Sequence, residues 1–291
     1  MRKKILCIIS CICFSTCMVT DGYADDYLKI GVVAEGEYQK SGNCEHGERK
    51  SAVTLGGYFL NRMCPSGHPY PVATQTFFYT NNKAWEKDLK AGNQHNETGN
   101  LYSTIDDVDL ALYCGHGFKA YDKHNFPHNS MHFYTCNSST KFHASGESGE
   151  RTDSSNLFTT EARWGSGDAI TKWVVAYTCN FLNETDPDLD QLMQGIHMVL
   201  GFSTQMYIDG MAAYDFADRL WQGQKFIDAF VGSSYKYVYP GMNTTDKNGN
   251  KLVVSVLTAE KSYTDTLYNY SSKPKKIGSG EKYLQVNYKF K

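Results

Sequence analysis

Two residues of this 291-residue chain stand where a nucleophile and its base would be useful. His116 lies between glycines in Cys114-Gly115-His116-Gly117, and Cys179 follows the apolar run 173–178 (WVVAYT) and precedes Asn180. A thiol is an effective nucleophile only as thiolate, and a nearby imidazole can take its proton and later deliver it to a leaving amine. The glycines beside His116 let the backbone bend sharply and let an N–H approach a substrate closely. The backbone N–H groups of Gly117 and Cys179 are then the natural donors to a developing oxyanion, an effect of about 3 kcal/mol per donor. Such a dyad needs no third side chain and no cofactor.

Other histidines give weaker signals. His124, His128 and His132 are four residues apart, a metal-ligand spacing if they share one helix face. Pro127 falls inside that span and Asn125, Asn129 and Ser130 favour turns, so no continuous helix and no metal site is expected there. His197, inside the apolar run 196–202, is expected to be a satisfied core histidine. Residues 164–168 (WGSGD) read as a tight turn, and the tyrosines from Tyr207 onward as cover for the C-terminal part.

The elements that must position the pair are strands. Residues 27–34 (YLKIGVVA), 108–114 (VDLALYC) and 173–178 are short, nearly continuous apolar runs, as expected of strands covered on both faces. The last two should be central and parallel, and in an open parallel sheet catalytic groups collect at the carboxyl ends of strands. Further strands are expected at 77–79, 196–202, 251–258 and 283–290. Helices are expected from Ser51 to Met63, over 84–91 and 186–195, and over 209–231 with a break at Gly223. Residues 137–156, dense in Ser, Gly and charge, read as an exposed loop open to proteolytic nicking.

The chain as a whole bounds the setting. Arg2, Lys3 and Lys4, the apolar residues 5–14 and the small-residue site Gly22-Tyr23-Ala24 form an export signal, so residues 1–24 are expected to be removed. Cleavage there removes three basic groups and Asp21 and takes the formal net charge from −2 to −4, which disfavours nucleic acid as a partner. No run reaches the roughly 20 apolar residues of a spanning helix. Phe14-Ser15-Thr16-Cys17 only loosely matches a lipid-attachment box, since Thr16 stands where Gly or Ala is usual; a free secreted or cell-envelope protein is expected over one anchored at Cys17. Of nine cysteines five remain after the leader, an odd number that in an oxidising compartment suggests two disulfides and one free thiol. The expected pairs are Cys44 with Cys64 and Cys114 with Cys136.

The pattern of a strand ending in His-Gly and a later strand ending in Cys resembles the caspase, gingipain and legumain group of cysteine peptidases. The segments 81–90 (NNKAWEKDLK), 106–118 (DDVDLALYCGHGF), 161–168 (EARWGSGD), 173–182 (WVVAYTCNFL) and 195–204 (GIHMVLGFST) are more closely similar to a bacterial family of secreted proteins with that fold. The resemblance covers residues 27–232. It implies an α/β protein, a caspase-like three-layer α/β/α sandwich over 25–235 with a mainly parallel central sheet. The β-forming residues at 251–258 and 283–290 themselves add strands at an edge or a small C-terminal β appendage over 236–291. The resemblance also implies His116 as acid/base and Cys179 as nucleophile on a peptide or protein substrate. Caspases carry Gln-Ala before their cysteine and Gly two residues after it. Tyr177-Thr178-Cys179-Asn180-Phe181 has neither, so specificity for Asp is not implied. Two other readings stay open: a catalytically silent binding protein with Cys179 in a disulfide, and a metal-dependent hydrolase built on the histidine-rich loop.

Overall fold

The computed structural model describes residues 27–38, 48–66, 73–90, 104–121, 126–134, 156–276 and 278–291. The expected leader and Cys17 lie outside them, as do Cys44, His124, Cys136 and residues 137–155. Among the described residues no helix is long and apolar enough to cross a membrane.

A seven-stranded sheet organises the molecule. Its strands are β1 (Leu28–Ala34), β2 (Ala73–Thr80), β3 (Leu110–Cys114), β7 (Trp173–Tyr177), β8 (Met198–Phe202), β9 (Leu252–Ala259) and β10 (Tyr283–Phe290), in the spatial order β10-β9-β8-β7-β3-β1-β2. β2, β1, β3, β7 and β8 run parallel, β9 pairs antiparallel with β8, and β10 antiparallel with β9. Every residue of β3, β7 and β8 is buried, which is why these segments show no polar alternation in sequence. The chain passes from β1 outward to β2 and returns to the other side of β1 as β3. The carboxyl ends of β1 and β3 therefore flank a topological switch point, the position at which open α/β sheets leave a crevice.

Alternate residues of each strand face opposite layers. Ile30, Val32, Leu110, Leu112, Val175 and Leu200 face α1 (Lys50–Met63), α3 (Gly210–Trp221) and α4 (Phe226–Ser233). In α1 the buried positions Ala52, Leu55, Gly56, Phe59, Leu60 and Met63 recur at three- and four-residue intervals and form one stripe. Gly56 allows close docking: a Cβ there would lie 2.9 Å from Val32 Cγ1. The helix ends where Cys64 N–H donates to Leu60 O (2.7 Å) and Pro65 follows without a donor. Phe59 stacks on Phe216 of α3 at 6.1 Å, and Arg62 Nε donates to Asp218 Oδ1 at 2.9 Å, so the two helices brace each other.

Val33, Ala111, Tyr113, Val174, Ala176 and Val199 face the other way. They meet a small antiparallel sheet, β4 (Gly117–Tyr121), β5 (Pro127–His132) and β6 (Asn156–Phe158), together with the single-turn α2 (Thr159–Ala162) and 3-10 turns at Glu86–Leu89 and Leu189–Leu192. Trp164 fills the centre of this layer, its indole N–H donating to Leu89 O at 2.7 Å. The second helical layer of the expected sandwich is thus largely β-sheet and turns among the described residues.

Several expectations are corrected by particular contacts. The helix over 84–91 is only a 3-10 turn at Glu86–Leu89, since so short a segment nucleates poorly, although the Asp88 carboxylate accepts the Trp85 N–H (2.8 Å) at its start. The helix over 186–195 is likewise reduced to the 3-10 turn at Leu189–Leu192: Asp186 accepts from Asp188 N–H (2.9 Å) through Oδ1, but its Oδ2 is committed to Asn129 N–H (2.7 Å) and Thr159 Oγ1 (2.8 Å) on another layer. His128 and His132 lie on strand β5. Asn156, assigned to the exposed loop, is buried in β6 with its Oδ1 2.6 Å from His132 Nδ1. Of the two placements expected for the C-terminal strands, the appendage is overturned: they extend one side of the main sheet, with β9 an interior strand, all eight residues buried, between β8 and the edge strand β10. Among the described residues Cys64, Cys114 and Cys179 are free thiols, and Cys44 and Cys136, the partners expected for Cys64 and Cys114, lie outside them.

Candidate functional site

The carboxyl edge of the sheet gathers the two predicted residues. β3 ends at Cys114 and the chain bends through Gly115-His116-Gly117 into β4. Gly115 N–H still donates to Tyr177 O at 3.3 Å, tying the bend to the last residue of β7. Gly117 then crosses the backbone that carries the cysteine. A Cβ at Gly117 would lie 2.3 Å from Cys179 O and 2.4 Å from Thr178 Oγ1, so only glycine permits this approach. His116, Gly117 and Cys179 thereby come from adjacent strands to one edge.

Three residues not recognised in the sequence complete the surroundings of His116. Its backbone N–H donates to Tyr38 Oη (2.8 Å), and the Tyr38 and His116 rings lie 5.0 Å apart. Tyr38 Oη donates in turn to Glu35 O at 3.3 Å. Arg49, immediately before α1, is tied to the β1 end by its N–H to Gly36 O (2.7 Å) and donates from Nε to His116 Nε2 at 3.2 Å. That bond leaves His116 Nε2 as the acceptor nitrogen of the ring. Glu35, fully buried at the end of β1, carries a carboxyl held well above the usual carboxylate range by burial, an effect the Tyr134 backbone amide offsets only in part.

Cys179 is partly buried, and its Sγ sits against one backbone unit: Met206 N–H lies 3.4 Å away and Met206 O 3.7 Å away. Burial pushes the thiol up from its ordinary value, while the Met206 amide and the positive charge of Arg49 pull it partly back. At neutral pH the resting group is therefore the thiol. Asn180 adopts the left-handed conformation (φ 57°) and donates its N–H to Thr204 O at 2.9 Å, turning the chain sharply after the cysteine. Asparagine tolerates that conformation better than most residues, and such turns recur where a side chain must be presented. Beyond Asn180 opens a cleft of about 510 Å³, edged by Lys119, Lys247, Lys251 and Lys289 against Glu184 and Asp246.

The other candidates fall elsewhere. His197 is buried at the opposite end of the sheet with Nδ1 2.6 Å from Asp265 Oδ2, and residues 164–168 form a turn with Gly165 and Gly167 at positive φ. Cys114 is fully buried under the bend, with its thiol pushed well up by desolvation.

A mostly parallel α/β sheet that brings a thiol, an imidazole and a guanidinium to its carboxyl edge places the chain among α/β proteins with a strand-end site. Residues 54–277 match the model of a family described as Domain of unknown function (DUF6345), and the chain belongs to that family. No curated protein matches the chain. The matched segment contains His116 and Cys179, whereas Glu35, Tyr38 and Arg49 precede it.

Proposed function

We propose that the protein is an exported thiol hydrolase acting on peptide bonds, with Cys179 as nucleophile and His116 as acid/base on a caspase-like scaffold. The observation that carries this reading is the shared guanidinium. Arg49 contacts the His116 ring directly and its charge also favours the thiolate of Cys179, so one cation links both members of the pair. The sheet order with five parallel strands followed by antiparallel β9 supports the scaffold.

The chemistry follows from the positions. His116 takes the Cys179 proton, once Arg49 yields Nε2 or through Nδ1, and the thiolate adds to the scissile carbonyl carbon. The oxyanion accepts hydrogen bonds from the N–H groups of Gly117 and Cys179. His116 then protonates the departing amine, and a water activated by the same ring hydrolyses the thioester and restores the thiol. The lysine-edged cleft beyond Asn180 is the space beside the nucleophile into which a substrate chain extends.

The test is alkylation of the native protein with iodoacetamide followed by peptide mapping. Cys114 is fully buried and the Cys64 thiol is pushed up to about 11, so among the described thiols Cys179 is expected to react first. Because its own value is raised, its labelling should climb with pH through and beyond the ordinary thiol range near 9. Arg49→Ala should move that climb to higher pH, and His116→Ala should slow labelling at neutral pH. A Cys179 that stays unreactive from pH 7 to 10 would leave the competing reading, a silent binding protein on the same scaffold, which the raised resting thiol favours.

A further inference from the structure

His128 and His132, two of the three histidines spaced four apart, lie on strand β5. His128 meets the turn that ends the loop running on from Cys179. Its Nδ1 lies 3.1 Å from Asp188 Oδ2 and 3.7 Å from Asp186 Oδ1, and one ligand atom from each of the three residues falls within 4.8 Å of the others. We propose that His128, Asp186 and Asp188 form a binding site for a divalent first-row cation, with zinc the best fit.

The separations support this. Four ligands around zinc at bond lengths of about 2.0–2.2 Å sit roughly 3.3–3.6 Å from one another at tetrahedral angles, and the two observed nitrogen-to-oxygen separations bracket that range. One imidazole nitrogen and two carboxylate oxygens leave a fourth position for water. Calcium asks for six to eight oxygens, and magnesium for an octahedral and mainly hydrated shell, so this donor set suits neither.

The carboxylates are also oriented as ligands are. Asp186 Oδ2 accepts from Asn129 N–H and Thr159 Oγ1, whereas Oδ1, the oxygen nearer the imidazole, accepts from Asp188 N–H at 2.9 Å and retains a second lone pair on that side. Hydrogen bonds of this kind hold a metal-binding carboxylate in one rotamer. The side chains of Asp186 and His128 are 0% and 4% exposed and Asp188 is 32% exposed, which gives a dry site with one open edge.

The location assigns the ion a task. Asn129, the neighbour of His128 on β5, donates from Nδ2 to Phe181 O and Asn183 O, so β5 already grips the loop between Cys179 and Asp188. An ion at this site adds a second fastening at the far end of the loop and fixes the backbone that presents Cys179. The proposal holds whether or not Cys179 is reactive.

The test is calorimetric titration of the EDTA-treated full chain with zinc chloride at pH 7, followed by thermal melts. One zinc per chain is expected, with a melting midpoint that rises with zinc concentration. Asp188→Asn changes the partly exposed ligand and keeps its size, and it should weaken binding at least about tenfold with near-UV circular dichroism unchanged. Cys179→Ser should bind zinc as the wild type does. Absence of stoichiometric binding, undiminished affinity in Asp188→Asn, or loss of binding in Cys179→Ser would each overturn the assignment. Should His128→Gln fail to fold, Asp188→Asn still decides.

Discussion

Glu35 closes β1 with its carboxyl fully buried beside Gly115, and its pKa is raised by burial and by the nearby charge of Asp88. A raised folded value means the native state holds this proton more tightly than the unfolded chain does. Its contribution to stability is complete below the ordinary value of 4.5 and declines as the pH rises from there toward the folded value. Glu35→Gln removes that decline. Its melting midpoint relative to wild type should become more favourable between pH 4.5 and 8, and a difference independent of pH would show that the carboxyl is not buried as described. Glu35, Tyr38 and Arg49 were not legible in the sequence for a common reason: Tyr38 and Arg49 contact His116, and Glu35 the Cys114–Gly115 end of β3, across roughly 70 to 80 positions, and none sits in a local pattern. His116 and Cys179 were legible because each follows an apolar run at a turn, a signal contained in a few adjacent residues.

Elements position these residues chiefly through the crossing of the β3–β4 bend over the end of β7. The crossing depends on Gly117, where an added methyl would meet both the Cys179 carbonyl and the Thr178 hydroxyl, and backbone on one side cannot rotate away. Gly117→Ala should destabilise the protein by about 1–3 kcal/mol through overpacking, measured by denaturant unfolding, and should change the alkylation rate of Cys179 as the two backbones part. A wild-type midpoint and labelling rate would mean the bend has room that the geometry denies. At this scale the buried strands β1, β3, β7 and β8 could be read directly from their unbroken apolar runs, and α1 from its stripe of buried positions. The short helices could not. Asp186 is a good helix-start residue by type, but its Oδ2 is held by Asn129 N–H from a strand 57 positions away, a contact that propensity does not record. Pro127 discounts the four-residue histidine spacing as a helix face, and His128 and His132 lie on strand β5, where positions four apart also share a face.

For the whole molecule the decisive question is where the C-terminal strands go, because strand neighbours across a sheet leave no local trace in sequence. Residues 251–258 and 283–290 show clear β character, yet nothing in them distinguishes an appendage from the far side of the main sheet. The structure places β9 inside that sheet, hydrogen-bonded to β8 and β10 on either side. A chain ended at residue 235, the boundary the sequence suggests, therefore loses an interior strand rather than a separable module. Leu252, Val253, Val254, Val256 and Leu257 are all buried, and Val254 and Val256 share the layer of Phe202 and Phe230. At about 1.5–3 kcal/mol for each large apolar side chain, their loss approaches or exceeds the entire 5–15 kcal/mol that ordinarily stabilises a domain. Truncation after residue 235 should yield aggregated protein or a chain without near-UV dichroism. Ending the chain at residue 282 removes only the edge strand β10, whose residues are partly or fully exposed, and should leave a folded protein with a lowered melting midpoint. If the 235-residue chain instead gave a monomeric, cooperatively melting protein with Cys179 labelled as in the wild type, the sheet would have to close at β8 and the C-terminal strands would be dispensable to the site.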